Sequence, residues 1–355
     1  MQNRLQRVLF PLYRRLERSA LVLRYLFVEL TQRCNLACLH CGSDCSARPR
    51  ADELDTDAWV AFFDGLGARI DKTQVVLVIT GGEPLCAPGL PKILDAIARN
   101  GFAFGMVSNG WALDQRVLDD LTEHGLHSLT LSLDGLEDTH DWLRGREGSF
   151  ARVVAAARLV AQARLPFFDV VTCANPRNLD QLPRVQSLLD DLGVPAWRIF
   201  SIFPRGRAVA NASLRLSDAE LHRLLSWIAE ARLGDRRPKP AWSCEGYLPP
   251  ELDRTVRDQP YFCRAGINIG GVLCDGSITA CPNISRELVQ GNIRTDDLAE
   301  VWENRFTAFR DRRWMATGRC ADCDDWASCQ GNSMHLWDDR SRQTVLCHRD
   351  VLCAG

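Results

Sequence analysis

The chain has 355 residues, 46% of them hydrophobic and 25% charged, with a formal net charge of −2. That length buries a large core and leaves room for two domains, and the near-neutral charge excludes a general nucleic-acid binder. No segment approaches the ~18 uninterrupted apolar residues of a membrane span. The outlier is cysteine, with 15 residues. The odd count and the lack of a recognisable signal peptide speak against a disulfide framework. Clustered thiols in a reducing compartment more often hold metal or iron–sulfur clusters, so a cytoplasmic protein is expected.

Residues 1–22 form a basic amphipathic segment, with Arg4, Arg7, Arg14, Arg15 and Arg18 among Leu5, Val8, Leu9, Phe10, Leu12 and Leu16. Such a segment can lie on a membrane surface or hold a peptide. The plainer reading is a helix packed across the fold with its arginines in water, and Pro11 is expected to interrupt its periodicity. From residue 23 to 235 strand and helix signals alternate six times. "LRYLFVELT", "QVVLVITGG", "FAFGMVSNG", "SLTLSLDG", "FFDVVTCAN" and "AWRIFSIFP" read as strands, each followed by a stretch with helical spacing. This pattern predicts an α/β fold of parallel βαβ units with right-handed crossovers. Six units are too few for a closed eight-stranded barrel, so an open partial (βα)6 TIM-like barrel is expected, with its active face at the C-terminal strand ends. A boundary is placed near 236–242, where charge and proline cluster, and the alternation fails beyond it. Residues 236–355 hold nine of the fifteen cysteines, with little helix expected except around 297–313.

The first strand runs directly into "TQRCNLACLHCGSDC". Cys34, Cys38 and Cys41 have the C-x3-C-x2-C spacing that can ligate three irons of a 4Fe–4S cube and leave the fourth free. Zinc sites use similar spacings, so the neighbours decide. "GGEP" (Gly81, Gly82, Glu83, Pro84) ends the second strand, "SNG" (Ser108, Asn109) the third, and "SLDG" (Ser132, Asp134) the fourth. Four polar motifs on four successive strand ends are not the work of chance.

These motifs resemble the radical S-adenosylmethionine (radical SAM) superfamily. The resemblance implies that Cys34, Cys38 and Cys41 hold the cluster, that His40 fills the aromatic position before the last of them, and that Cys45 lies outside the set. It implies that Gly81, Gly82, Glu83, Pro84, Ser108, Asn109, Ser132, Asp134 and Arg144 contact SAM. Glu83 would offer its carboxylate to the methionine ammonium, and Arg144 would clamp the SAM carboxylate. No residue is assigned to the catalytic step on the substrate.

The tail resembles the SPASM domain, which carries two auxiliary 4Fe–4S clusters. Cys263, Gly276, Cys281, Cys320, Cys323 and Cys329 match its pattern, but Ser333 stands where it has a further cysteine. "GVLCDGSITAC" reads as a hairpin turning at Asp275–Gly276, which puts Cys274 at the tip, roughly 13 Å along the strand from Cys281 and too far to share a cube. Cys244 is therefore preferred beside Cys263 and Cys281, with Cys347 and Cys353 giving one thiol to each auxiliary cluster. Together the resemblances imply a radical SAM enzyme that takes a hydrogen atom from a ribosomal peptide or small protein. The alternatives are an enzyme of small-molecule or cofactor synthesis, or a non-catalytic iron–sulfur module. An external one-electron reductant of the flavodoxin or ferredoxin type is expected, no nucleic acid, and peripheral membrane contact only through the N-terminus.

Overall fold

The computed structural model describes the chain apart from Met1, Pro49, Cys244, Glu245, Ala354 and Gly355; the side chains of residues 2–8 and of Cys353 are also outside the described set. The expected ligands Cys244 and Cys353 therefore lie outside the described residues.

Helix α1 (Gln2–Ala20) is followed by β1 (Tyr25–Glu29), α2 (Thr56–Arg69), β2 (Val76–Thr80), α3 (Leu90–Arg99), β3 (Phe104–Ser108), α4 (Gln115–Glu123) and β4 (Leu126–Ser132). Two helices, α5 (Glu137–Arg144) and α6 (Ser149–Ala163), then lead to β5 (Phe167–Ala174), α7 (Leu182–Asp191), β6 (Trp197–Ser201) and α8 (Asp218–Leu233). The six expected strands are present and pair in parallel in sequence order. Alternate strand residues such as Leu26, Val28, Leu77, Ile79, Leu129, Leu131 and Val170 are fully buried. They join Trp59 and Phe63 of α2, Ile93 and Ile97 of α3, and Leu224 and Ile228 of α8 in one core. Each such side chain contributes about 1.5–3 kcal/mol of burial. Period-two burial on the strands against a helical apolar stripe is what fixes this register.

The sheet does not stop at residue 235. β7 (Pro240–Trp242) extends it in parallel beyond β6. After α9 (Pro250–Val256), β8 (Ile269–Val272) returns to the far edge and pairs in parallel with β1. β9 (Ser277–Thr279) and β10 (Gly291–Asn292) continue outward antiparallel, giving a ten-stranded sheet. The expected hairpin is present: the Gly276 N–H closes its turn on the Leu273 carbonyl at 2.8 Å.

The N-terminal segment departs from expectation twice. α1 runs through Pro11 without a break, because proline inside a helix costs an N–H bond that packing elsewhere can offset. Nor are its arginines all in water. Arg14 is buried at 7% exposure, while Leu9, Leu12 and Leu16 face outward. α1 lies on the tail: Phe10 and Tyr13 pack against Phe262, and Glu17 accepts a hydrogen bond from Asn268. Among the described residues no helix is long and apolar enough to cross a membrane.

Candidate active site

The cysteine loop after β1 has little secondary structure of its own, and three segments hold it in place. From the end of β2, Gly82 and Glu83 donate backbone N–H bonds to the Thr31 and Arg33 carbonyls at 2.7 and 2.9 Å. A Cβ on Gly82 would stand 2.4 Å from the Arg33 oxygen, so this glycine permits a close approach to the loop itself. From α5, the carbonyls of Leu143 and Arg144 receive Leu39 N–H and Ala37 N–H at 2.9 and 3.2 Å. From the segment after β6, Arg207 donates to the carbonyls of Cys38 and Cys45 at 2.8 and 2.6 Å and pairs with Asp44 at 3.1 Å.

Held this way, Cys34, Cys38, Cys41 and Cys45 line one cavity of about 160 Å³ together with His40, Gly81, Gly82, Asn109, Arg144 and Arg207. Each of the three motif sulfurs faces a donor. Leu36 N–H points at Cys34 Sγ (3.5 Å), an Arg144 Nη1 at Cys38 Sγ (3.8 Å) and Cys45 N–H at Cys41 Sγ (3.3 Å). Burial pushes the Cys34 thiol up to about 12. The hydrogen bond from Cys45 holds Cys41 below the usual thiol range. Cys45, outside the three-cysteine set, acts on one of the three through its donors.

The SAM-contact candidates lie on the same rim, but two are turned inward. Glu83 is 1% exposed. Its Oε1 accepts from Ser108 Oγ (2.8 Å) and Leu85 N–H (3.3 Å), and its Oε2 from Asn109 N–H (2.7 Å). Burial raises its carboxyl, and these donors oppose the rise. In this conformation Glu83 ties the ends of β2 and β3 together. Asp134 is fully buried; its Oδ2 pairs with Arg144 Nε at 2.7 Å and its Oδ1 accepts Cys173 N–H at 2.7 Å. Burial alone would raise that carboxyl, but Arg144, His40 and His140 bring it below the usual range. His40 is held neutral, its pKa pushed down to about 4 by burial. Ser132 ends β4 half-buried, and Pro84 starts the short turn after Glu83.

In the tail, Cys320, Cys323, Cys329 and Cys347 line a single pocket. Cys347, one of the two late thiols expected to complete the two sites, lies with the other three, and the short helix His348–Cys353 starts beside it. Cys263 and Cys281 form a second group. Burial, and then the neighbouring Cys263, push Cys281 up to about 11. Desolvation would raise Cys263 too, but Arg312 and the N–H groups of Met334 and Ala265 hold it down. Ser333 is buried there and exchanges a 3.2 Å hydrogen bond with the Tyr261 hydroxyl. Cys274 is elsewhere, fully buried, with its N–H directed at Glu29 at 3.4 Å.

A sequence model of the radical SAM superfamily matches residues 28–189, and one of the SPASM iron–sulfur cluster-binding domain matches residues 263–324. The chain is a radical SAM protein with a SPASM domain. It is similar to an AdoMet-dependent heme synthase of Methanosarcina barkeri, 29% identical over 87% of this chain and 90% of that protein. It is also similar to a PqqA peptide cyclase of Ruegeria pomeroyi, 28% identical over 91% of this chain and 87% of the other. The fold is shared with anSMEcpe solved with AdoMet and a peptide (TM-score 0.71, 17% identity, 93% and 94% of the two chains). It is shared too with SuiB of Streptococcus suis solved with S-adenosylmethionine (0.67, 15%, 87% and 72%).

The cofactors of this radical SAM/SPASM enzyme are 4Fe–4S clusters and SAM, as the sequence led us to expect. Three thiols with an N–H directed at each sulfur are a donor set that fits a cube in the cysteine loop. When bound, cluster and SAM supply one-electron cleavage to a 5′-deoxyadenosyl radical. The chain's own part is to hold the loop, to keep His40 neutral and to place Arg144. Sequence reasoning missed Arg207 and Cys173. The Cys173 Sγ lies with a ring nitrogen of His40 and a carboxylate oxygen of Asp134 in a group whose atoms are all within 4.8 Å. That group is a poor cation site, because Arg144 already neutralises its one carboxylate.

Proposed function

We propose that this radical SAM enzyme takes its hydrogen atom from a ribosomal peptide or small protein, and that residues 23–235 and 236–355 divide the work between radical generation and auxiliary clusters. In this reading Cys34, Cys38 and Cys41 hold the SAM cluster, and Cys320, Cys323, Cys329 and Cys347 hold one auxiliary cluster. Cys263 and Cys281 belong to a second auxiliary site, with Cys244 and Cys353 as its remaining ligands, and Ser333 stands where the SPASM pattern has a further cysteine. Arg144 and Asn109 face SAM, while Glu83 organises the rim. The observation that carries the peptide is the near full-length similarity to a PqqA peptide cyclase. The similar matches to an AdoMet-dependent heme synthase and to an Fe-coproporphyrin III synthase support a second reading, in which the substrate is a porphyrin of heme synthesis.

The test is 5′-deoxyadenosine formation by the anaerobically reconstituted protein with dithionite. Cys34→Ala, Cys38→Ala and Cys41→Ala should each abolish it, while Cys45→Ala retains it. Full yield from any of the first three removes the ligand assignment. Deuterium transfer into 5′-deoxyadenosine from a labelled candidate peptide, with none from labelled iron coproporphyrin, supports the first reading. The reverse result replaces it with the second.

A further inference from the structure

Two guanidinium groups are buried in the tail with no carboxylate to match them. Arg14 of α1 is 7% exposed and Arg312 is 5% exposed. Among the described residues neither has a carboxylate oxygen within ion-pair distance; their partners are backbone carbonyls. Arg14 Nη1 donates to Ser328 O at 2.7 Å. Arg312 donates to Phe309 O, Asn332 O and Cys263 O at 3.2, 3.4 and 3.1 Å. The Arg14 guanidinium also lies 5.2 Å from the centre of the Phe262 ring, and its buried Nε has no partner. Phe262 adjoins Cys263, and Ser328 adjoins Cys329. The two cations therefore sit between the two thiol groups, close enough to feel one another as well as Cys263 and Cys329.

An isolated buried charge costs several kcal/mol unless something of opposite sign accompanies it. Two like charges side by side raise that cost. Thiols alone do not supply the missing anion, but cubes ligated by thiolates are anionic in both redox states. We propose that Arg14 and Arg312 are the internal counter-charges of the tail's iron–sulfur clusters, and that α1 docks on the tail to deliver one of them. This rests on reading the tail thiols as cluster ligands. It explains why α1 turns an arginine inward and leaves Leu9, Leu12 and Leu16 outside. It also gives the arginines a redox role, since a buried cation stabilises the more negative, reduced cluster and holds its potential up.

The experiment uses the full chain with Cys34, Cys38 and Cys41 replaced by alanine, reconstituted with iron and sulfide, so that only tail clusters are observed. Iron per chain and EPR-monitored redox titrations are compared for this parent, Arg14→Met, Arg14→Lys, Arg312→Met and the double Met variant. The expected result is a shift of the midpoint to more negative potential in each Met variant, larger in the double, with Arg14→Lys close to the parent. Iron lost from Arg14→Met but kept in Arg14→Lys equally supports a charge requirement. Midpoints unchanged in both Met variants at full iron overturn the proposal. So does iron loss from Arg14→Met and Arg14→Lys alike, which would make the contact one of packing. A parent that binds no iron is a separate outcome: it removes the cluster reading, and this proposal with it.

Discussion

Glu83 can serve in two ways, by touching a ligand or by building the place where the ligand sits. Its two oxygens receive three donors, two of them backbone N–H groups and one the Ser108 hydroxyl. Hydrogen bonds to a charged acceptor are worth about 1.5–3 kcal/mol each. Glu83→Gln puts an NH2 group against at least one donor, so the variant should melt several degrees lower in the absence of SAM. A residue that only contacted SAM would leave the melting temperature of the SAM-free protein unchanged and alter SAM affinity alone. Thermal unfolding with and without SAM separates the two. Cys45 and Arg207 belong to the same class, since both act on the cysteine loop from outside the motif.

At the scale of elements, the loop's shape comes from its neighbours, and the segment after β6 is the least expected of them. Gly206 there has φ +53°, and a Cβ on it would lie 2.3 Å from the Cys41 carbonyl oxygen. Arg207 N–H then bonds that same carbonyl at 3.0 Å. Gly206→Ala is both strained at its own backbone and pressed against the loop. Reconstituted Gly206→Ala should hold less iron in the cysteine-loop site while the tail keeps its own. Wild-type iron content with an unchanged SAM-dependent EPR signal would mean the loop does not need this strap. The contrast explains what could be read in advance. The cysteine spacing, the four strand-end motifs and the six strands with their helices are local in sequence, so hydrophobic period and motif spacing reveal them. Gly206 and Arg207 act across more than 160 residues, from a stretch whose composition says only "loop". Arg14 was misjudged for a related reason. Helical periodicity tells which residues share a face, but not which face meets the protein, and here the face that turns inward is the one carrying Arg14.

For the molecule as a whole, the feature that matters is the parallel pairing of β8 with β1. Spacing in the sequence put Cys274 on a hairpin, which is present, but nothing local announced that the hairpin's first strand joins the front edge of the barrel sheet. That pairing has a consequence for synthesis on the ribosome. β1 is among the first strands to emerge, and its inner neighbour β2 follows within fifty residues. Its outer neighbour is not translated until Ile269. For most of elongation the strand that leads into the cluster loop presents an open edge of unpaired N–H and C=O groups, with Phe27 and Val28 beside it, and open edges recruit other chains. A chain ended after Pro260 should therefore collect in the insoluble fraction when expressed, even though all six βα units of the barrel are complete. Soluble, monomeric material from that truncation would show that the edge is harmless. If the edge is as sticky as its pairing suggests, the strand that leads into the cysteine loop stays open to other chains until β8 has been made, and the nascent chain must be shielded until then.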